Sequence, residues 1–371
     1  MTGPSPFVPD HGEAGRAGTG RPRIAMVLTA STGGIGRHVA SVAPRLVARG
    51  FDVTVYASSV TLAAHDVGVP AVALDAVALA RGVGAADLVH AHGYKAAALA
   101  LPYARVRRVP LVVTWHNAVL GTSGGARAGR ILQRVVARGA DLVLAASSDL
   151  LARAVELGAR EAALSPVAAP ALAVPRLPRD ARRAALGLAR DDVLVLTVTR
   201  LAPQKNLDLL LDVAARTLDR PDLAYVLVGA GPLHDVLAAR VADEHLRVTL
   251  AGASDDVASW LHAADLVLLP SRWEARALVA QEALLAGVPL VATRVGGIPE
   301  LVGQAAVLVD PDDVVGATTA VRDLADDPGA RRRLADAGLH QAATWPDEDD
   351  VADGLASSYR HVLSGRSATG S

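Results

Sequence analysis

The stretch "RLAPQKN", Arg200 to Asn206, sets two cations five residues apart just after the apolar run "VLVLTVT". Of 37 lysines and arginines only Lys95 and Lys205 are lysine, the arginine usage of a GC-rich genome, and Lys205 stands where the helical pattern "NLDLLLDVAARTL" begins. Free amides and the positive dipole end of a helix add to side-chain charge, so this pair can hold an anion. The plainer reading is a solvated loop charge. A second pair lies in "EARALVAQE", where Glu274 and Glu282 are eight positions apart. At about 1.5 Å of rise per helical residue they stand roughly 12 Å apart, at opposite ends of one extended ligand. Each carboxylate accepts two hydrogen bonds, which suits vicinal hydroxyls of a sugar ring or ribose. Alone they would read as two exposed helix carboxylates; beside the cation pair they read as a binding site.

The elements around these residues alternate strand and helix. "RIAMVLTA", "FDVTVYA", "ADLVHAH", "PLVVTWH" and "ADLVLAAS" are short apolar runs separated by helical or irregular stretches, the pattern of buried parallel strands. The proline-dense "LSPVAAPALAVPRLPRD" interrupts it, and the alternation restarts with "VLVLTVT", "AYVLVGA", "VTLAG", "DLVLLPS", "PLVATRV" and "AVLVD". The expected architecture is α/β: two doubly wound Rossmann-like domains facing each other across a cleft, with ligands outside the carboxyl ends of the strands. The expected boundaries are a disordered leader over 1–20, domains over 21–170 and 171–345, a last helix over 346–364 crossing back to the first domain, and a loose tail over 365–371.

Composition narrows the setting. A chain of 371 residues exceeds one ordinary core, and 51% hydrophobic residues make it globular. A net charge of -1 provides no global footprint for nucleic acid. The absence of cysteine excludes disulfides, thiol catalysis and thiolate metal sites and agrees with a reducing cytoplasm. The start lacks the apolar segment of a signal peptide, and no apolar stretch is long enough to span a membrane. The expectation is a cytoplasmic protein that at most docks on the inner membrane face.

Arg200 and Lys205, "VGAGPL" at Val228 to Leu233, the Glu274/Glu282 pair, "GVPLVAT" and "GGIPELV" together resemble the nucleotide-sugar-binding half of retaining glycosyltransferases of family 4, with the GT-B fold. "STGGIGRHVASVAPRLVARGFDVTVYA", "DLVHAHG" and "VVTWHN" look like that family's first half, so the likeness spans nearly the whole chain. The resemblance implies transfer of a sugar from a nucleotide-diphosphate sugar to a hydroxyl acceptor, a glycan, glycolipid or small molecule. It implies that Arg200 and Lys205 bind the donor diphosphate near Gly231, that Glu282 holds the ribose, and that Glu274 with the amides of Ala275, Arg276, Ala277 and Leu278 holds the sugar. Gly33 and Gly34 would let the backbone approach the donor phosphate or acceptor, and His116 would contact the sugar near the reacting carbon. Two preplaced cations would stabilise the leaving diphosphate without a metal or other cofactor, and the leaving phosphate would serve as base. "DPD" at Asp310 to Asp312 would be an ordinary turn and no metal site.

The chain departs from the family after Glu274. Ala275, Arg276 and Ala277 replace a Gly-aromatic-Gly or Gly-aromatic-Pro run, and alanine resists the positive φ that glycine permits. Arg276 would meet an anionic sugar or lie in solvent, the latter favoured by its type. His92 reads as a hydrogen-bonded structural group, and Trp115 and Trp273 read as packing. Arg127, Arg130, Arg134 and Arg138 share one helical face, opposite Ile131, Leu132, Val135 and Val136. That face could dock on anionic lipid or a lipid-linked phosphate, or be chance clustering in an arginine-rich chain. Two rival classes stay open. A dinucleotide oxidoreductase would use "GGIGRHV", but its third glycine position is Val39 and "FDVTVYA" lacks a terminal acid. A catalytically silent GT-B sugar-binding subunit is kept open by the altered loop.

Overall fold

The computed structural model describes residues 20–31, 33–121, 124–168, 171 and 173–367; all but the last residue of the expected leader, and the end of the tail, lie outside them. The chain divides into two units, Met1–Ala168 with Pro346–Ser371, and Ala169–Trp345.

The first unit runs β1 (Arg23–Leu28), α1 (Gly34–Ala48), β2 (Asp52–Ala57), α2 (Ser59–Ala64), β3 (Ala71–Ala73), α3 (Ala76–Ala85), β4 (Leu88–His92), α4 (Tyr94–Arg107), β5 (Leu111–Trp115), α5 (Gly124–Gly139), β6 (Leu142–Ala145), α6 (Ser148–Glu156) and β7 (Ala162–Leu164). Its parallel sheet has the order β3-β2-β1-β4-β5-β6-β7. Every residue of β4 and β5 is buried, as a parallel sheet covered by helices on both faces requires. The short edge strands β3 and β7 carry no strong apolar run and were not anticipated. Strand order reverses between β1 and β4, so the chain ends after β1, β4 and β5 surround a switch point.

The second unit runs α7 (Arg179–Ala185), β8 (Val193–Val198), a 3-10 turn at Pro203–Lys205, α8 (Leu207–Ala215), β9 (Leu223–Val228), α9 (His234–Asp243), β10 (Val248–Gly252), α10 (Val257–Ala263), β11 (Leu266–Leu269), α11 (Leu278–Leu285), β12 (Leu290–Thr293), α12 (Ile298–Val302), β13 (Val307–Val309), α13 (Val314–Asp326) and α14 (Pro328–Ala342). The parallel order is β10-β9-β8-β11-β12-β13. Along β8 the side chains alternate between two cores. Val193 and Val195 join one with Leu210 and Val321, while Leu194 and Leu196 join the other with Ala280 and Leu284. That two-residue period makes an apolar run a central strand. The switch point lies between β8 and β11, where Val195 pairs with Leu266.

The last helix, α15 (Glu348–Ser367), extends three residues past its expected end at 364. It packs on α1: Tyr359 is fully buried edge-on to Phe51, ring centres 5.5 Å apart. At the rim Arg45 meets Glu348 at 2.5 Å, and Arg49 meets Asp353 at 2.7 Å and Asp349 at 3.0 Å. These partly exposed pairs set the helix's register more than its stability.

Candidate functional site

In the second unit the loops after β8 and β9 are stitched by backbone bonds, Leu201 N to Ala230 O at 3.0 Å and Leu233 N to Leu201 O at 3.1 Å. A Cβ at Gly229 would stand 1.7 Å from Thr199 O, and one at Gly231 would stand 2.4 Å from Leu201 O. Gly231, expected near the phosphate, is thus demanded by close backbone approach, which presses the Arg200 loop against the next one. Arg200 lies exposed just beyond β8. Lys205 closes the 3-10 turn, and Asn206, at φ 50°, turns the chain into α8. Asn206 Nδ2 donates to Pro311 O at 2.9 Å, and Asp312 pairs with Arg272 at 3.0 Å. The "DPD" turn therefore buttresses the lysine loop.

Lys205 Nζ donates to Glu274 Oε1 at 2.5 Å, with the two side chains only 15% and 12% exposed. Ser271 Oγ donates to the same oxygen at 2.7 Å. Thr293 Oγ1 donates to Ser271 O at 2.5 Å, and Arg272 N donates to Gln204 O at 2.9 Å. The ends of β8, β11 and β12 are thereby tied around one carboxylate. Sequence spacing placed Lys205 and Glu274 in one site but did not pair them. It missed Ser271, whose only signal is a small polar residue three before the glutamate. Glu274 O accepts from Gly297 N at 2.9 Å, and a Cβ on Gly296 would lie 2.0 Å from that oxygen, so "GGIPE" is packed directly on this loop.

The altered loop settles without glycine. Among the described residues, the non-glycine ones at positive φ are Arg108, Asn206 and His245, so Ala275, Arg276 and Ala277 need no left-handed backbone. Ala275 and Ala277 are buried and Leu278 opens α11, with Glu282 half-buried on its second turn. Arg276 corrects the solvent reading. It is mostly buried, its guanidinium 5.8 Å from the centre of the Trp345 ring, and Nε and Nη2 have no hydrogen-bond partner. Burial pushes its pKa down to about 10 against the opposing pull of Glu300.

In the first unit Gly33 caps α1 and is exposed with open space around a Cβ, and Gly34 begins the helix. The glycine that packing requires is Gly36, where a Cβ would meet the His65 ring at 2.4 Å and Ser31 O at 2.7 Å. His116, just beyond β5, does not stand alone. Its Nε2 lies 3.2 Å from His92 Nδ1, and His38 of α1 faces both rings at 5.4 and 5.5 Å. His90 lies 4.1 Å from His92 and bonds Tyr359 Oη at 2.6 Å and Thr114 Oγ1 at 2.7 Å. Burial lowers all four pKa values, His38 to about 4 and His90 to about 3, so the rings are neutral near pH 7. His90 and His92 sit two apart on one strand, a same-face signal present in "VHAH"; His38 carried no such signal. Trp115 is buried packing, as its sequence context indicates.

The α5 expectation needs correction. Ile131 and Val135 are 66% and 48% exposed, on the face that also presents Arg127, Arg134 and Arg138. Arg130 instead turns back to Gly121 O at 2.8 Å. The helix buries Ala126, Gln133, Val136 and Ala137, and it packs on α4 and α6. No helix among the described residues is long and apolar enough to cross a membrane.

Two parallel-sheet α/β units with these strand orders have the GT-B fold. Residues 178–341 match the family described as glycosyl transferases group 1, and residues 32–166 match glycosyltransferase family 4. The D-inositol 3-phosphate glycosyltransferase 1 of Catenulispora acidiphila is 32% identical over 379 residues, covering 93% of this chain and 85% of that protein. The glycogen synthase of Mycobacterium tuberculosis is 32% identical over 286 residues, 74% of this chain and 68% of its own. Among solved structures, Anabaena HepE in complex with UDP-glucose superposes with a TM-score of 0.81 at 20% identity, over 92% of this chain and 100% of that one. The sucrose-phosphate synthase of Thermosynechococcus elongatus does so with a TM-score of 0.75 at 22% identity, over 93% and 100%. The chain belongs to family 4 of the glycosyltransferases, which sets the dinucleotide oxidoreductase reading aside.

Proposed function

We propose that the chain moves a hexosyl group from a nucleotide-diphosphate sugar to a hydroxyl acceptor with retention at the anomeric carbon. The observation that carries this reading is the Lys205–Glu274 contact at the strand ends of the second unit, with Arg200 exposed on the same loop. Arg200 and Lys205 take the diphosphate. Glu274 and the backbone of Ala275 to Leu278 take the sugar, and Glu282 takes the ribose. HepE, solved with UDP-glucose, supports a nucleotide-sugar donor. The anomeric carbon–oxygen bond breaks, its electron pair leaves with the diphosphate, and charge grows where the cations already stand. The leaving phosphate oxygen takes the acceptor's proton as that hydroxyl attacks on the same face. His116, neutral through burial, contacts the sugar near the reacting carbon.

Incubation with a panel of nucleotide sugars should release free nucleotide diphosphate and give a product of unchanged anomeric configuration by NMR, with turnover preserved in EDTA. Donor binding without release would make the chain a silent sugar-binding subunit. An inverted product, or activity lost to EDTA and restored by magnesium or manganese, would overturn the mechanism.

The acceptor or its carrier lies at an anionic membrane surface on this reading. Exposed Ile131 and Val135 among Arg127, Arg134 and Arg138 combine apolar insertion with attraction to anionic headgroups. The chain should co-sediment with vesicles containing phosphatidylglycerol and not with neutral ones, and Ile131→Glu with Val135→Glu should cut binding at least about 10-fold. Equal binding by that variant would remove α5 from the docking surface.

A further inference from the structure

We propose that a cavity between α5 and α6 of the first unit holds one neutral sugar residue of a glycan, apart from the transfer centre. The cavity measures about 340 Å³, at the lower end of the roughly 300–1,000 Å³ that small-molecule sites occupy. That suits one pyranose ring better than a whole nucleotide sugar. Its walls come from the loop after β5, the middle of α5 and one face of α6. Arg130 and Gln133 are three positions apart, and Asp149, Arg153 and Glu156 follow at four and three, so each helix turns one face to the cavity. A Cβ on Gly129 would stand 2.9 Å from Val119 Cγ1, so the loop is pressed onto α5 and closes the wall beside it.

Gln133 carries the argument. Only 2% of it is exposed, yet its side-chain amide has no hydrogen-bond partner among the described residues and is not sealed off from the cavity that the residue lines. Side chains buried to this degree are nearly always paired, so an amide left open on a cavity marks a place for a polar ligand. The remaining groups select a neutral polyol. Arg130 and Arg153 bring two positive charges and Asp149 and Glu156 two negative ones, so the wall has no net charge and offers a phosphate or carboxylate no advantage. Arg130 donates to Gly121 O at 2.8 Å and Arg153 to Glu156 at 3.0 Å, which leaves further N–H groups on both. Carboxylates accept from vicinal hydroxyls, guanidiniums and the amide donate to sugar oxygens, and Ala118, Val119 and Leu150 offer apolar contact to the C–H face of a ring. The Arg153–Glu156 pair is solvent-exposed at the rim, which leaves the rest of a glycan chain outside.

Binding of the sugar needs no donor; that the glycan is the acceptor rests on the transfer reading. The test uses the full-length chain without donor and a panel of neutral gluco-, galacto- and manno-configured trisaccharides, followed by saturation-transfer NMR. At least one should bind, and Gln133→Met, which keeps the length of the side chain, should weaken it at least about 10-fold, the scale of one or two lost hydrogen bonds. The variant should melt no lower than the wild type, since the amide makes no bond to the described protein. An amide that served the fold alone would do the reverse, lowering the melting temperature and leaving sugar binding unchanged. If Gln133→Met does not fold, hydrogen exchange on the wild-type chain replaces it, with the sugar expected to protect peptides of α6 and of residues 117–121. No binding by the panel, unchanged binding in folded Gln133→Met, protection confined to other segments, or tighter binding of a phosphorylated sugar than of its neutral parent would overturn the site. Nucleotide release with no sugar binding strikes this site alone, and sugar binding with no nucleotide release strikes the transfer reading alone.

Discussion

Lys205→Ala lowers turnover by at least about 100-fold while the chain stays folded. That is the scale for removing one preorganised charge contact to a transition state, about 2.7 kcal/mol. The second unit also loses stability, on the order of 1–3 kcal/mol, because the largely buried Glu274 carboxylate retains only Ser271 as a side-chain donor. Arg200→Ala gives a similar loss of turnover with no such penalty, since Arg200 is exposed. On the proposed reading the Lys205–Glu274 bond would give Glu274 a double role, gripping the sugar and aiming the ammonium. Glu274→Gln therefore lowers kcat more than it changes the donor KM. Glu282→Gln raises that KM with kcat nearly unchanged, because a ribose contact is equally strong in ground and transition states. Steady-state kinetics with far-UV circular dichroism checks all four variants. Near-normal kcat in both folded cation variants would remove the diphosphate assignment, and a reversed kcat and KM pattern would exchange the glutamates.

Acid unfolds the first unit before the second. His38, His90, His92 and His116 are held neutral by burial, with pKa values below the ordinary 6.5. Their folded pKa values are depressed, so stability is fully present above about pH 6.5. It falls as pH drops below that, where the unfolded chain binds protons and the folded chain refuses them. The window runs from about 6.5 toward about 4 for His38 and about 3 for His90. Each histidine contributes at most about 1.4 kcal/mol per pH unit, so four set a ceiling of roughly 5 kcal/mol per unit. Lowered carboxylates such as Asp222 in the second unit lose their contribution only below about 3.8, so the interval from about pH 6 to 4.5 isolates the histidines. Hydrogen exchange in peptides from β4 and β5, corrected for intrinsic rate, should show protection falling steeply there while β8 and β11 hold. A flat profile, or an equal fall in both units, would exclude the cluster as the cause.

Much of this was legible in the chain. The central strands were readable because a parallel strand buried on both faces is apolar at most positions, and "VLVLTVT" and "PLVVTWH" are. Edge strands β3 and β7 were not, because three exposed residues such as Ala71 to Ala73 need no apolar run. Loop residues after the strands were readable in type and place. Their contacts were not, because Lys205 and Glu274 are 69 positions apart and meet only when β8 and β11 become neighbours.

The sequence by itself determined the alternation of elements and the charged groups at strand ends, since each depends on local spacing. Tertiary structure alone decided what those groups do to one another. Arg276 was drawn out of solvent against the Trp345 ring, 69 positions along the chain, a proximity that only folding creates. Ile131 and Val135 were left exposed because the elements packed on α5 do not cover their face. Histidines at 38, 90, 92 and 116 became one cluster, closed by Tyr359 from a helix 269 positions away from His90, because side-chain contacts depend on packing in space and the chain records only order.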